Sequence, residues 1–314
     1  MKLLVLLLSA LVVFPLYAQN DSLIQIGCFN IEWFPCKDDG ELMKQYDINL
    51  RVPPTGKATN MEALFSLLKE LDVELLGVVE IVDPFVLEKE ARLRLGPEFK
   101  VIYAPGNGSQ SVGFLYDSSV LTLIGQPEIY ASVMIDPDSW LRPAFRACFK
   151  YKDSGFDFHA IVVHLKAAPG GLNLRKQQWE VLSGILEEIP EKYGDQDIIL
   201  MGDFNNVSKL HADEFIPVID SLNFFWATSE IADSGFSNYW QPDYGINRIE
   251  GSLIDHIFIS NSVREEYVPE SIIIGGMCSE GKFEYSDDEI PAYYELISDH
   301  CPVFGSFRAA ADND

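Results

Sequence analysis

The chain has 314 residues, of which 48 are acidic and 23 are lysine or arginine, so its formal charge is −25 at pH 7. That length suits one large domain or two modest ones, and no linker-like stretch divides it. The acidic balance argues against a protein that binds nucleic acid non-specifically through a basic surface. It does not exclude a nuclease, because a bound metal ion can reverse the local charge.

The first 18 residues, MKLLVLLLSALVVFPLYA, have the layout of a secretory signal: Lys2, an apolar run, and small or polar residues up to Ala18. We expect cleavage near Ala18, which leaves a domain over residues 19–309 and an acidic tail over 310–314. A membrane anchor is the alternative, but the run is shorter than the roughly 20 residues that a spanning helix needs. No later segment is apolar for long enough. The sequence therefore predicts a secreted or periplasmic monomer without a transmembrane segment.

After the predicted signal, segments with strand-like patterns alternate with segments with helix-like patterns. LIQIGCF and VELLGVV read as buried strands, and MEALFSLLKEL reads as an amphipathic helix. In DPFVLEKEARLRLG, Asp83 is a predicted N-cap, Pro84 stands in the first turn and Gly96 follows the last turn. The order predicted for this part is therefore strand, helix, strand, helix.

The middle of the chain changes to closely spaced strands. FKVIYA, SVGFLY, LTLIGQPEIY, RPAFRACFKY and FDFHAIVVHL follow one another with short breaks, as in an antiparallel meander. A helix is predicted from about Asn173 to Glu188, ending before Pro190. IILMGDFN, SLIDHIFIS and HCPVFGSF complete the strands. We infer an α/β sandwich in which two sheets pack face to face and helices cover the outer faces.

The five cysteines are too few and too irregular for a disulfide scaffold or a CxxC metal site. Cys28, Cys148 and Cys301 lie in strand-like text and are predicted to be small buried hydrophobic residues. Cys36 and Cys278 lie in loop-like text. Whether these two form a disulfide stays open at the level of sequence.

Several polar residues stand where an apolar strand ends. In open α/β sheets ligands bind beyond strand ends, so these acids, amides and histidines are expected to meet in one cleft. Oxygen-rich clusters of this kind suit Mg²⁺, with Mn²⁺ or Ca²⁺ as alternatives. The residues are Asn30, Glu32, Glu80, His164, Asp203, Asn205, Asp255, His256, Asp299 and His300.

Six segments occur in a specific order: FNIEWF, GVVEI, VVHLKA, MGDFNN, SLIDHIF and SDHCPVF. Each is weak alone, but the ordered set, from Asn30 to His300, resembles the endonuclease/exonuclease/phosphatase superfamily, which includes deoxyribonuclease I and exonuclease III. The resemblance implies a four-layer α/β sandwich of two mixed sheets, with the site at one end of both. It also implies a metal-dependent hydrolase of phosphate esters.

The resemblance assigns metal binding and water activation to five of these residues. Glu80 corresponds to the principal metal carboxylate, Glu32 to a second acidic ligand and Asp299 to a third. Asp203 and Asn205 correspond to the pair that orients the attacking water and holds the phosphate. The plain alternatives are a solvated charge at a strand end for Glu32 and a turn for Asp203 and Asn205.

The histidines divide into two kinds. His300 corresponds to a histidine oriented by Asp255, and it either binds phosphate as an imidazolium or acts as a base. His256 is next to Asp255 in a strand, so its side chain should point to the opposite face. His164 matches the second histidine of deoxyribonuclease-I-like members, a candidate acid for the leaving oxygen, although a buried structural role is the alternative. Asn30 is expected to hold Glu80 or His300.

Cations and aromatic residues near the motifs are candidates for substrate binding. Arg142, Lys166 and Arg175 are expected to meet phosphate oxygens. The polar, aromatic segment SGFSNYWQPDYGINRIEG reads as a long functional loop, which contributes Trp240 and Arg248 to a substrate rim. Tyr239 and Tyr244 are further stacking candidates.

Three substrates compete for the predicted activity. A nuclease acting on DNA is favoured over a sphingomyelinase-like phospholipid diesterase and over a phosphatase of small esters. The inositol polyphosphate phosphatases are disfavoured, because MGDFNN and SLIDHIF lack their signatures. The alternative from another class is a catalytically silent binding module. Such a module should have a broken motif, whereas Glu80, Asp203, Asn205, Asp255 and His300 are all present.

Overall fold

The computed structural model describes residues 23–38, 41–46, 48, 56–136, 138–167, 169–242 and 247–309. The predicted signal over 1–18, the tail over 310–314 and Tyr244 lie outside these ranges. The strands are β1 Leu23–Phe34, β2 Leu75–Ile81, β3 Phe99–Pro105, β4 Ser111–Asp117, β5 Leu121–Tyr130, β6 Ala144–Tyr151, β7 Asp157–His164, β8 Ile198–Asp203, β9 Phe224–Trp226, β10 Asn238–Trp240, β11 Arg248–Ser252, β12 Asp255–Ser260, β13 Ile273–Ile274, β14 Glu284–Ser286 and β15 Val303–Arg308. The α-helices are α1 Glu41–Gln45, α2 Met61–Glu70, α3 Pro84–Arg94, α4 Leu172–Tyr193, α5 Ala212–Ser221 and α6 Ala292–Leu296.

Two six-stranded sheets form the centre of the fold. Their strand orders are β13-β15-β1-β2-β4-β3 and β5-β6-β7-β8-β12-β9. Both are mixed, because β1 and β2 pair in parallel, as do β7 and β8, among antiparallel neighbours. Apolar side chains such as Phe114, Phe149 and Val162 fill the space between them. The predicted face-to-face arrangement of two sheets is confirmed.

Helices cover the outer faces of both sheets, as a four-layer sandwich requires. On the second sheet, α4 and α5 bury Trp179, Leu182 and Phe215. On the first, α2 and α3 bury residues that include Phe65 and Leu87. The burial of one apolar stripe per helix explains why these segments are amphipathic in sequence.

The structure confirms the predicted start of α3 but not the predicted end of α4. At α3, the Asp83 carboxylate accepts from the backbone N–H groups of Phe85 and Val86 at 3.0 Å, as predicted for an N-cap. The end predicted for α4 was wrong, because the helix continues through Pro190 to Tyr193 and ends at Gly194. A proline so near the end removes a single intrahelical hydrogen bond. Ile189, directly before the proline, is buried in the core, and this packing offsets that loss.

The predicted meander divides between the two sheets. β3 and β4 form a hairpin in the first sheet, whereas β5, β6 and β7 form an antiparallel run in the second. The chain crosses over between Asp117 and Leu121. Alternation of apolar residues shows that a segment is a strand, but it carries no information about which sheet the strand joins.

The predicted loop after Ser234 was also partly wrong. β10 and β11 lie within it and pair with β14 in a separate three-stranded sheet. Cys278 forms a disulfide with Cys301, not with Cys36, which is free and buried. Cys301 is therefore cross-linked rather than a free hydrophobic residue.

The described helices include none that is long and apolar enough to cross a membrane.

Candidate active site

The strand ends meet as the sequence predicts. His164 and Asp203 are paired residues at the ends of the parallel strands β7 and β8, and Asp255 is opposite Asp203 at the start of β12. From the facing sheet, Asn30 and Glu80 come from the ends of β1 and β2. The site therefore lies at the edge where both sheets present the carboxyl ends of their parallel strands.

Asn30 is the centre of a buried polar network. Its Nδ2 lies 3.1 Å from Asp203 Oδ2, 3.3 Å from Glu80 Oε1 and 3.4 Å from His300 Nε2. Its Oδ1 accepts from the backbone N–H of Glu32 at 3.0 Å, which fixes the orientation of the amide. Asn30 thus links residues from both sheets in one arrangement.

His300 is held by a carboxylate, as expected. Its Nδ1 lies 2.8 Å from Asp255 Oδ2, and the Ser237 hydroxyl donates to the same oxygen at 2.7 Å. Burial alone would lower the pKa of His300, but Asp255, Asp299 and Asp203 together raise that pKa well above its usual value. The ring is therefore an imidazolium whose Nε2 lies 3.8 Å from Asp203 Oδ2.

Asp203 follows a residue that must be glycine. Gly202 has φ +135°, and a Cβ there would lie 2.1 Å from the Val163 carbonyl oxygen. Asn205 then takes a left-handed backbone with φ +53°, and its N–H donates to Asp203 Oδ1 at 2.9 Å. Burial, followed by repulsion from Asp255, raises the pKa of Asp203 to about 7. The carboxylate is poised to accept a proton near neutral pH.

His164 faces the same carboxylates but stays neutral. Its Nε2 lies 3.4 Å from Asp203 Oδ2 and 3.8 Å from Glu80 Oε1, whereas its buried Nδ1 has no hydrogen-bond partner. Burial and the charge of Arg142 hold the pKa of His164 well below its usual value. These surroundings oppose the imidazolium form that an acid for the leaving oxygen would need.

The three candidate metal ligands form an acidic centre beside this network, although their ligand atoms do not all lie within 4.8 Å of one another. Glu80 has φ +62°, and its carboxylate accepts from Asn30 and from the Trp33 N–H at 3.2 Å. Burial, followed by the charge of Asp299, raises the pKa of Glu80 and raises the pKa of Glu32 to about 8. Such crowding of like charges is relieved by a cation. The donor set is all oxygen and therefore fits Mg²⁺ or Mn²⁺.

Lys37 belongs to this centre, and the sequence analysis missed it. Its side chain is fully buried, with Nζ 2.6 Å from Glu32 Oε2. Ser298 was missed as well, although its hydroxyl donates to the Asn30 carbonyl at 2.8 Å and accepts from the His300 N–H at 3.0 Å. The lysine lies in the charged segment KDD, whose composition is typical of a solvent-exposed loop, so its local sequence does not predict burial.

Groups of three potential ligand atoms within 4.8 Å of one another occur twice in the described part of the chain. Asp203, Asp255 and His300 form the first group, but there His300 Nδ1 is already hydrogen-bonded to Asp255. Cys148, His159 and Asp195 form the other, away from the site near the start of β7 and β8. There Arg146 donates to His159 Nδ1 at 2.8 Å, so His159 Nε2 carries the ring proton and is not free to bind a metal.

Comparison with known proteins agrees with this geometry. A family model described as the Endonuclease/Exonuclease/phosphatase family matches residues 27–300. The chain belongs to this family. It is therefore a hydrolase of phosphoester bonds. A search of curated protein sequences found no significant match.

Solved structures of the family share the fold at low sequence identity. D. rerio TDP2 complexed with a single-strand DNA product has a TM-score of 0.61 at 15% identity, over 91% of this chain and 99% of that chain. The human Nocturnin catalytic domain with bound sulfate has a TM-score of 0.58 at 16% identity, over 91% of this chain and 94% of that chain. A mannosyl-6-phosphatase from Bacteroides thetaiotaomicron has a TM-score of 0.56 at 15% identity, over 90% of this chain and 99% of that chain.

Two clefts border the candidate site. The first, of about 310 Å³, is lined by Arg142, Lys166, Gln110, Trp33 and Trp140, among others. Arg142 is buried, with Nη2 3.3 Å from the Leu165 carbonyl oxygen and its Nε without a hydrogen-bond partner. The cleft thus combines two cations with two indole rings.

The second cleft, of about 220 Å³, is mainly apolar and begins at Asn205. Trp240, 42% exposed, and Asn238 lie along it, and the buried Oδ1 of Asn238 has no hydrogen-bond partner. Arg175 also borders this cleft. Its guanidinium is engaged in a buried ion pair with Glu214 at 3.1 Å, so the structure does not place it as a free phosphate ligand.

The side chains of the other predicted contacts are engaged with other groups of the protein. Tyr239 is fully buried and donates to the Lys282 carbonyl, so it does not offer a stacking face. Arg248 is exposed and paired with Glu250. His256 points to the opposite face of β12, where its Nε2 donates to the Asn206 carbonyl at 2.8 Å, in agreement with the expected alternation.

Proposed function

We propose that this phosphoesterase is an exported, Mg²⁺-dependent phosphodiesterase that acts on DNA-like diesters by in-line attack of water. The observation that supports it best is the buried network in which Asn30 donates to Asp203 and Glu80 and lies against His300 beside the acidic centre. A proton acceptor, a fixed imidazolium and a cluster of carboxylates that could hold a metal ion are adjacent there. Metal-assisted hydrolysis of a phosphate ester uses those three functions.

Glu80 and Asp299 would hold the divalent ion, with Glu32 beside them. The bound ion would polarise the phosphoryl oxygens and offset their negative charge. Burial, followed by the charge of Asp299, raises the pKa of both Glu80 and Glu32, which supports this assignment because a bound cation would stabilise the charged carboxylates.

The chain's own residues would carry the remaining steps. Asp203, with a pKa of about 7, accepts the proton of the attacking water. The His300 imidazolium, held by Asp255, stabilises charge that develops on the phosphate. His164 contributes a neutral hydrogen-bonding ring at the same oxygens rather than a proton.

The two clefts favour a diester over a monoester, because groups on both sides of the phosphorus would find a surface. Trp240 offers an aromatic face for a base, and Arg142 and Lys166 offer charge for a neighbouring phosphate. TDP2 with its DNA product supports the nuclease reading, and the mannosyl-6-phosphatase keeps a small monoester as the second candidate. The small volume of the apolar cleft favours that second candidate.

Export is part of the proposal. The layout of residues 1–18 supports a cleaved signal, and the disulfide between Cys278 and Cys301 suits an oxidising compartment. Expression in a bacterium with fractionation tests this. A periplasmic or extracellular product beginning near Gln19 by mass spectrometry is expected, and an intact cytoplasmic chain would contradict it.

Substrate class and metal dependence are tested together. Turnover is measured on plasmid DNA, RNA, sphingomyelin, bis-p-nitrophenyl phosphate and p-nitrophenyl phosphate, with EDTA and after addition of Mg²⁺ or Mn²⁺. We expect activity on DNA and the chromogenic diester that EDTA abolishes and either metal restores. Glu80→Gln should shift the metal requirement to higher concentration. Full activity in excess EDTA would refute metal dependence, and activity confined to p-nitrophenyl phosphate would identify a phosphatase.

Recognition beyond the scissile phosphate is tested at Trp240, which lines the apolar cleft, and at Arg248 on the adjacent strand. Trp240→Ala and Arg248→Ala are compared with wild type on plasmid DNA and on bis-p-nitrophenyl phosphate. A loss confined to DNA would support contact by the segment from Ser234 to Gly251. Equal rates for all three proteins on both substrates would remove that segment from substrate binding.

A further inference from the structure

Lys37 is an unusual residue for an active-site edge, because its side chain has 0% exposure. Its Nζ lies 2.6 Å from Glu32 Oε2 and donates to the Tyr294 carbonyl oxygen at 2.8 Å. A buried ammonium is costly unless it is paired and hydrogen-bonded. The position is therefore a built ion pair and not a chance surface contact.

The same oxygen of Glu32 has a second donor. The backbone N–H of Asp299 donates to Glu32 Oε2 at 3.1 Å. A carboxylate oxygen has two lone pairs, so the contacts with Lys37 and Asp299 fill the acceptor capacity of Oε2. Glu32 thus links Lys37 to the backbone that carries the Asp299 carboxylate.

The charges of the acidic centre also depend on this lysine. Glu32, Glu80 and Asp299 are close enough that Asp299 is the main charge repelling both glutamates. Lys37 offsets Glu32, which leaves the charge of Glu80 and Asp299. One divalent cation balances two carboxylates, whereas three unpaired carboxylates would favour more positive charge.

We propose that Lys37 takes the place of a second cation: it neutralises Glu32 and makes it a support for Asp299, so that the centre binds a single divalent ion through Glu80 and Asp299. Lys37 is then a positioning residue. The inference rests on the proposed metal dependence.

Metal binding itself, rather than turnover, distinguishes this role from direct ligation by Glu32. Mn²⁺ binding to the metal-free mature chain is measured by isothermal titration calorimetry for wild type, Glu32→Gln, Lys37→Met and the double variant. Lys150→Met with Asp157→Asn is the matched control, because this solvent-accessible pair at 3.2 Å lies at the start of β7, at the opposite end of the strand from His164. Circular dichroism and thermal melting verify folding of each protein.

Wild type should bind one Mn²⁺. Glu32→Gln leaves Lys37 as an unpaired charge near the ion, so its affinity should fall roughly tenfold or more, while Lys37→Met should bind roughly tenfold more tightly or take up a second ion. The double variant should return to near wild-type affinity, and the control should be unchanged. Replacing both members of a buried ion pair is often tolerated, so the double variant decides the question even if Lys37→Met does not fold.

Other outcomes overturn the inference in distinguishable ways. If the double variant binds as weakly as Glu32→Gln, Glu32 is a direct ligand and Lys37 has only a structural role. Two Mn²⁺ ions on wild type would refute the single-ion centre while leaving the proposed function intact. If wild type binds no Mn²⁺ and is active in EDTA, the proposed metal dependence fails as well.

Discussion

At the scale of single residues, the hydrogen bonds around Asn30 predict unequal costs for two histidines. Asp203→Asn and His300→Ala should each lower turnover by at least about a hundredfold, because positioned proton transfer and charge stabilisation typically contribute that much. His256→Gln is the control, since its ring bonds to Asn206 on the opposite face of the strand. Steady-state kinetics on the chromogenic diester measure all three. An equal loss in a folded His256→Gln protein would contradict the assignment.

His256 makes a separate prediction about pH. Burial lowers the pKa of His256 to about 4, whereas an unfolded histidine titrates near 6.5. Between these values the unfolded chain binds the extra proton, so the free energy of unfolding should fall as pH drops from 6.5 to 4. The contribution is about 3 kcal/mol. Urea unfolding of wild type should therefore show a steeper loss over this range than His256→Gln, and parallel curves would contradict the prediction.

At the scale of elements, the disulfide joins the 3-10 helix Gly276–Glu280 to the segment that follows His300. Its removal in Cys278→Ser/Cys301→Ser should lower the free energy of unfolding by about 3 kcal/mol, chiefly by freeing the unfolded chain. Dithiothreitol should lower the melting temperature of wild type but not of this variant. Cys36→Ser should keep the wild-type response, because Cys36 is not cross-linked. An insensitive wild type would show that the bond does not stabilise the fold.

At the scale of the whole molecule, the charge of −25 should oppose association with long polyanions. Removal of the proposed signal would take Lys2 with it and make the chain one unit more negative. Added NaCl screens this repulsion, so kcat/KM on plasmid DNA should rise between low and moderate salt at constant Mg²⁺, while the small diester should respond little. A steady fall with salt would instead indicate a locally basic active face.

Local signals in the sequence were sufficient for most strands of the two large sheets, the α3 cap and the strand-end positions of most candidate site residues. Asn30, Glu80, His164 and Asp203 each end an apolar run, and strand ends meet at one edge because parallel strands share a direction. The order of the six motifs also predicted the family and, through it, the four-layer sandwich. These features depend on residues a few positions apart or on their order along the chain.

Only the tertiary structure decided the partners of individual groups. The sheet joined by β5, the bond from Cys278 to Cys301, the ion pair of Arg175 with Glu214 and the burial of Lys37 against Glu32 all depend on long-range packing. A lysine in KDD or an arginine near a motif has the same local sequence whether it meets water, substrate or a buried carboxylate. Its environment is set by segments distant along the chain, because packing of the whole fold determines which charges are removed from water and must be paired.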